Sequence, residues 1–335
     1  MSPPTPISRF VDARPSCALS LLSWALCLAK GTAARFDRRH LTLPEAQRAS
    51  DPSLEWHAGP VTTAPVSTEV EAPPRFSWAL APAFGVSLSA FLLFGIQHEP
   101  SGYVVLAVSV ILGFVVDRDL GKSLLLIGFG IGMIGTISLA ADISYGHMVL
   151  MGSILLIAVV VPYVVDRFVF KRYLVRFPVK TGRRWTTGER LWVVSVVGLA
   201  WLIMPFYFIT SGTYLNWPAV SEPSELIRLF LAVNAVGLWD ELFFICTAFA
   251  LLRHHFVMWQ ANILQAIIFV SFLWELGYQA WGPFLTTIFA LVQCHLFNRT
   301  RSLLYVVSVH LIFDCVLWGI LVNAHNPGWL PIFLY

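Results

Sequence analysis

The sequence predicts an all-α, polytopic transmembrane helix bundle of about nine spans, and three observations predict it. Of 335 residues, 57% are hydrophobic and only 12% charged, whereas a water-facing domain carries about 25% charged residues. Apolar runs recur from about Trp78 onward, and roughly 20 apolar residues cross a hydrocarbon core of about 30 Å as a helix. Lys and Arg fall into alternate connections between those runs. In lipid a helix satisfies its own backbone hydrogen bonds, so helices are the expected elements.

Residues 1–75 are rich in Pro, Ala, Ser and Thr and have no sustained apolar period. They predict a disordered or loosely structured cytoplasmic tail. Its apolar stretch Cys17–Leu28 follows Arg9 and Arg14 and imitates a signal peptide, but is too short to span. The predicted spans are 78–96, 103–116, 123–140, 148–165, 191–210, 226–252, 260–279, 284–297 and 303–323. Residues 76–210 thus form a five-span membrane region, and 211–335 a four-span core.

The connections sort by charge. Arg118 and Lys122, the stretch 166–190 with eight Lys and Arg, Arg253, and Arg299 with Arg301 lie on one side. The connections 97–102, 141–147, 211–225 and 280–283 contain no Lys or Arg, and Arg228 at the start of the sixth span is the exception. Positive loops stay in the cytoplasm. The expectation is therefore a multi-pass protein of the cell (cytoplasmic or inner) membrane, N-terminus inside and C-terminus outside. An odd number of spans requires the same outcome.

Two features read as structural. Gly128, Gly130, Gly132 and Gly135 in the third span include a GxxxG spacing that lets helices approach closely. The connection 166–190 mixes Phe168, Phe170, Tyr173, Phe177 and Trp185 with its basic residues, which suits an anionic membrane surface rather than nucleic acid. Membrane lipid is the partner it predicts. The five cysteines contain no CxxC pair and give neither a disulfide framework nor a zinc knuckle. His254 and His255, beside Arg253, read as solvated at the interface.

Ionisable residues inside a span are costly, so each one invites a functional hypothesis. The last four spans collect Asp240, Glu241, Glu275, His310 and Asp314, with Asn234, Gln265 and Gln293 as further polar residues. At 1.5 Å per residue, Glu241, Glu275, His310 and Asp314 fall about 13–24 Å from the cytoplasmic ends of their helices. His310 and Asp314 stand at i and i+4, on one helix face. Facing each other in a bundle, such groups hold a water or one divalent metal ion, with Glu241, Glu275, His310 and Asp314 as the ligands in the metal case.

Asp240-Glu241-Leu-Phe-Phe244 on one span and His310-Leu-Ile-Phe-Asp314 on the last resemble the CPBP family, that of the CAAX endopeptidase and the Abi-type intramembrane proteases. Its pattern is a Glu-Glu pair followed by x-x-x-Arg, then Phe-x-x-x-His, then His-x-x-x-Asn or His-x-x-x-Asp. The resemblance covers roughly residues 226–323. It implies an intramembrane endopeptidase that cleaves a membrane-associated peptide or protein with glutamate-activated water. Glu241 is then the expected general base, with Asp240 in place of the first glutamate and either acid of the pair able to serve. Two departures stand out: Ile245 occupies the arginine position, and Phe272-Leu-Trp-Glu275-Leu276 lacks the histidine. Glu275 is the expected substitute, one residue early. The rival readings are a metal-dependent variant of the protease, a non-catalytic immunity or scaffold membrane protein, and a proton-coupled transporter.

Overall fold

The apolar runs all fold as helices, with ends displaced by a few residues. A computed structural model of the chain describes residues 77–179 and 181–333. The expected tail and its Cys17–Leu28 stretch lie outside the described residues. Nine helical rods follow: α1 (Leu80–Gly95), α2 (Glu99–Val116), α3 (Arg118–Ile134), α4 (Tyr145–Val169), α5 (Thr187–Thr210), α6 (Pro223–His255), α7 (Met258–Leu276), α8 (Gly282–Thr300) and α9 (Leu303–His325). No strand occurs among the described residues.

Local chemistry sets the ends. Asp117 caps α3 by accepting from the Asp119 and Leu120 N–H groups, each at 2.8 Å, so this helix starts five residues before the predicted span. Thr186 and Glu189 form a capping box at the start of α5. Pro223 sits in the first turn of α6, where its missing N–H costs nothing.

Six rods, α2, α4, α5, α6, α7 and α9, are long and apolar enough to cross a membrane. The span count of nine is not established by that measure: α3 has 17 residues and opens on Arg118, Asp119 and Lys122, and α8 carries Gln293, His295, Asn298 and Arg299. Burial separates the six. Within their apolar windows α2, α4 and α5 are only 22–28% buried, whereas α6, α7 and α9 are 61–72% buried. The front helices turn Val104, Ile111, Val115, Val160 and Val194 outward, as lipid-facing helices do. The helices that carry the polar residues form the core.

Interhelical hydrogen bonds to backbone carbonyls tie that core together. Ser87 Oγ donates to Leu264 O at 2.9 Å, Asn262 Nδ2 to Leu291 O at 3.0 Å and Trp318 Nε1 to Leu226 O at 3.0 Å. Such bonds contribute about 0.6 kcal/mol each in lipid, so their number matters more than any one. Gly130 of α3 faces the Phe243 ring directly, with no room for a β-carbon, which is the packing role read from the glycine spacing.

The connections gather at two ends. At one, Arg172 Nη1 donates to Asp119 Oδ1, Ser123 Oγ bonds His255 Nε2, and Leu303 N–H donates to Pro178 O. At the other, Asn216 Nδ2 donates to Gly277 O, Asn326 Nδ2 to Val220 O, and Arg228 Nη1 to Ile143 O. The first end carries Arg118, Lys122, the basic 166–190 connection, Arg253, Arg299 and Arg301. The alternation of basic loops is therefore a property of the folded chain.

Candidate active site

α6 and α9 meet where Gly237 lacks a side chain. A β-carbon there would overlap Asp314 Oδ2 and lie 2.9 Å from Asp314 Cγ. Just beyond, α6 widens into π turns from Glu241 to Phe249, and Thr247 Oγ1 donates five residues back to Leu242 O. Widened turns of this kind recur at functional sites. Adjacent Asp240 and Glu241, where the regular helix passes into these turns, are both 2% exposed.

The imidazole of His310 lies between the acids. Its Nδ1 stands 2.7 Å from Glu241 Oε1, and its Nε2 stands 3.7 Å from Asp240 Oδ2 and 4.0 Å from Asp314 Oδ1. Gln293 Nε2 donates to the same Glu241 Oε1 at 2.7 Å and to Val306 O at 3.1 Å. The Nδ1 edge of the ring is thus bonded to Glu241, and the Nε2 edge faces the aspartates. All four titratable groups are buried. Asp240 Oδ1, Glu241 Oε2, Gln293 Oε1 and Asp314 Oδ2 have no hydrogen-bond partner within the protein.

A cavity of about 280 Å³ reaches this cluster between α4, α5, α6, α7, α8 and α9. Asp240, Gln293, His310 and Asp314 are on its wall, and Glu241 is not. The remaining lining is mostly apolar, with the rings of Phe269 and Phe289 against the His310 imidazole. Behind the site Trp239 stacks on Phe243 at 5.2 Å and donates from Nε1 to Leu155 O. The aromatic wall and the second hydrogen bond to Val306 fix the cluster from behind.

The structure brings Asp240, Glu241, His310 and Asp314 together, and leaves Glu275 out. Glu275 Oε1 accepts from the Leu139 N–H at 3.2 Å and lines a separate cavity with Glu99, Thr136 and Ser138. The reason is helical phase. Leu276, four residues after Phe272, is on the wall of the active cavity, and Glu275 lies about 100° around the helix from it. Gln293 takes the place beside Glu241 that sequence reasoning gave to Glu275. The signal for it was present as Phe289-Ala-Leu-Val-Gln293, a Phe followed four residues later by a side chain that donates hydrogen bonds. Ile245, at the arginine position, is buried and apolar.

The metal reading requires donors that converge, and these do not. Glu241 lies on one edge of the imidazole, Asp240 and Asp314 on the other, and Glu275 is elsewhere. Among the described residues, three metal-binding atoms come within 4.8 Å of one another only at Asp119, His254 and His255.

No curated protein and no solved structure matches the chain. Residues 222–316 match the model of the family described as type II CAAX prenyl endopeptidase Rce1-like. That stretch runs from the start of α6 to Val316 of α9 and contains the whole cluster. The chain is a multi-pass membrane protein, and its residues 222–316 are similar to the Rce1-like family of type II CAAX prenyl endopeptidases.

Proposed function

We propose that the chain is an intramembrane endopeptidase that hydrolyses a peptide bond of a membrane-associated substrate with water activated by Asp240. The family match supports a membrane protease acting on a protein or peptide. The observation that carries the mechanism is the orientation of the acids. Glu241 Oε1 is engaged by His310 and Gln293 behind the cavity, while Asp240 and Asp314 face it.

The roles follow, and of the two acids they take Asp240 rather than Glu241 as the base. Glu241 fixes the ring of His310, as a carboxylate behind an imidazole does in other hydrolases. Spacings of 3.7 and 4.0 Å from His310 Nε2 to the aspartates are too long for direct bonds and fit a bridging water. Asp240 takes a proton from that water as its oxygen attacks the substrate carbonyl carbon. It then returns the proton to the leaving nitrogen as the C–N bond breaks. His310 Nε2 and Asp314 orient the water. The apolar walls exclude bulk water and strengthen these interactions. No metal enters the scheme.

A structural lock, the immunity or scaffold reading, would satisfy its own polar atoms. Four buried oxygens without protein partners instead leave acceptors for a water or a substrate group, and each would cost about 1–3 kcal/mol if left unmet. The test compares peptide termini in membranes from cells carrying the wild-type chain or His310→Ala. Termini present only with the wild type support hydrolysis. Identical profiles at equal protein levels count against it.

A further inference from the structure

The basic end of the bundle holds a second cluster, which the proposed hydrolysis does not use. His254 and His255 end α6, and Asp119 lies in the first turn of α3. His254 Nε2 stands 3.2 Å from Asp119 Oδ2, and one ligand atom from each of the three residues falls within 4.8 Å of the others. We propose that Asp119, His254 and His255 form a binding site for one divalent transition-metal ion, zinc foremost.

The donor set supports zinc. Two imidazole nitrogens and one carboxylate are borderline ligands that suit zinc better than magnesium or calcium. Around a tetrahedral zinc with bonds of about 2.0–2.2 Å, neighbouring ligand atoms stand about 3.3 Å apart. The His254–Asp119 spacing is already close to that. Three protein ligands leave the fourth position for water or a partner's side chain.

The carboxylate is held in place in advance. Arg172 Nη1 donates to Asp119 Oδ1, to Asp119 O and to Ser123 Oγ, at 3.0–3.1 Å. This leaves Oδ2 turned to His254. The guanidinium does not make the site cationic, because Arg172 Nε and Nη2 each stand 3.1 Å from Oδ1 of the fully buried Asp166. Asp166 balances Arg172, and the negative charge of Asp119 remains for the ion. Asp117, whose carboxylate caps the same turn, adds a second negative charge nearby. Ligand carboxylates with such outer partners are the rule in built metal sites. His255 is half-buried with Nε2 on Ser123 Oγ at 2.9 Å, so it is not the solvated residue that sequence reading expected. A bound ion would pin the end of α6, the helix of Asp240 and Glu241, to α3.

The experiment uses the full-length protein in detergent, purified without a polyhistidine tag and stripped with chelator. Zinc is titrated while melting temperature and bound metal are measured, and cobalt(II) is added as a spectroscopic probe. Wild type should bind one zinc per chain, melt at higher temperature with it, and give a visible cobalt spectrum. His254→Ala, at an exposed position that leaves packing intact, should weaken binding by at least the about 10–100-fold that outer-partner changes cost. His254→Ala/His255→Ala should abolish it, and His310→Ala should leave it unchanged. No zinc binding by wild type overturns the proposal. So does equal binding by the double variant, or loss of the metal in His310→Ala, which would place the ion at the other cluster.

Discussion

Gly237 and Asp314 touch across the α6–α9 crossing so closely that any side chain on Gly237 would occupy the space of the Asp314 carboxylate. His310 Cδ2 would also lie 3.2 Å from an added β-carbon. Gly237→Ala should therefore overpack the crossing at a cost of about 1–3 kcal/mol. It should also displace Asp314 and His310 on the cavity wall, and a shift near 1 Å lowers activity about 100-fold. Melting temperature and cleavage of the same membrane preparation check this together. Unchanged activity with lowered stability would detach the crossing from the chemistry.

Glu275 should behave as a loop anchor. Its contact is the Leu139 N–H, and losing one such bond costs about 1 kcal/mol. Glu275→Ala should lower the melting temperature slightly and leave the cleavage products as in wild type. Loss of those products in a folded Glu275→Ala protein would return the residue to the reaction.

At the basic end, Arg172 and the fully buried Asp166 form an ion pair. Removing one partner of a buried pair costs about 3–5 kcal/mol, because the other charge is left uncompensated. Arg172→Met should destabilise strongly. Arg172→Met with Asp166→Leu should recover part of that loss in a thermal melt, and a double variant no better than the single would show that the pair is not what matters.

Basic loops at one end of the bundle predict which side they face. Reporter fusions within 97–102 and 211–225 should read external, and fusions within 166–190 internal. The reverse pattern would invert the orientation and place the metal cluster outside the cell.

Much of this was legible in the sequence because lipid imposes it. Apolar runs located each of the nine long helices among the described residues, and the Lys and Arg spacing sorted the loops that the fold gathers at two ends. Asp240, Glu241, His310 and Asp314 were legible because charge inside a span is rare and the i, i+4 spacing fixes a face. Glu275 was misplaced because position along a helix does not give rotation about it, and one residue is about 100°. Gln293 was passed over because an amide carries no charge to mark it. The π turns of α6, which begin at Glu241, leave no local signature at all. Neither does the Asp119–His254–His255 cluster, whose members come from helices far apart in the chain.

Asp240 as the proposed base and Glu241 as the residue that orients His310 are told apart by measuring peptide cleavage in membranes that carry Asp240→Asn or Glu241→Gln at wild-type protein levels. Asp240→Asn should lower cleavage by about 10²–10⁴-fold, the usual worth of a general base. Glu241→Gln should fall less, because its amide can still accept from His310 Nδ1. If Glu241→Gln abolishes cleavage while Asp240→Asn retains it, the assignment of the two roles is contradicted.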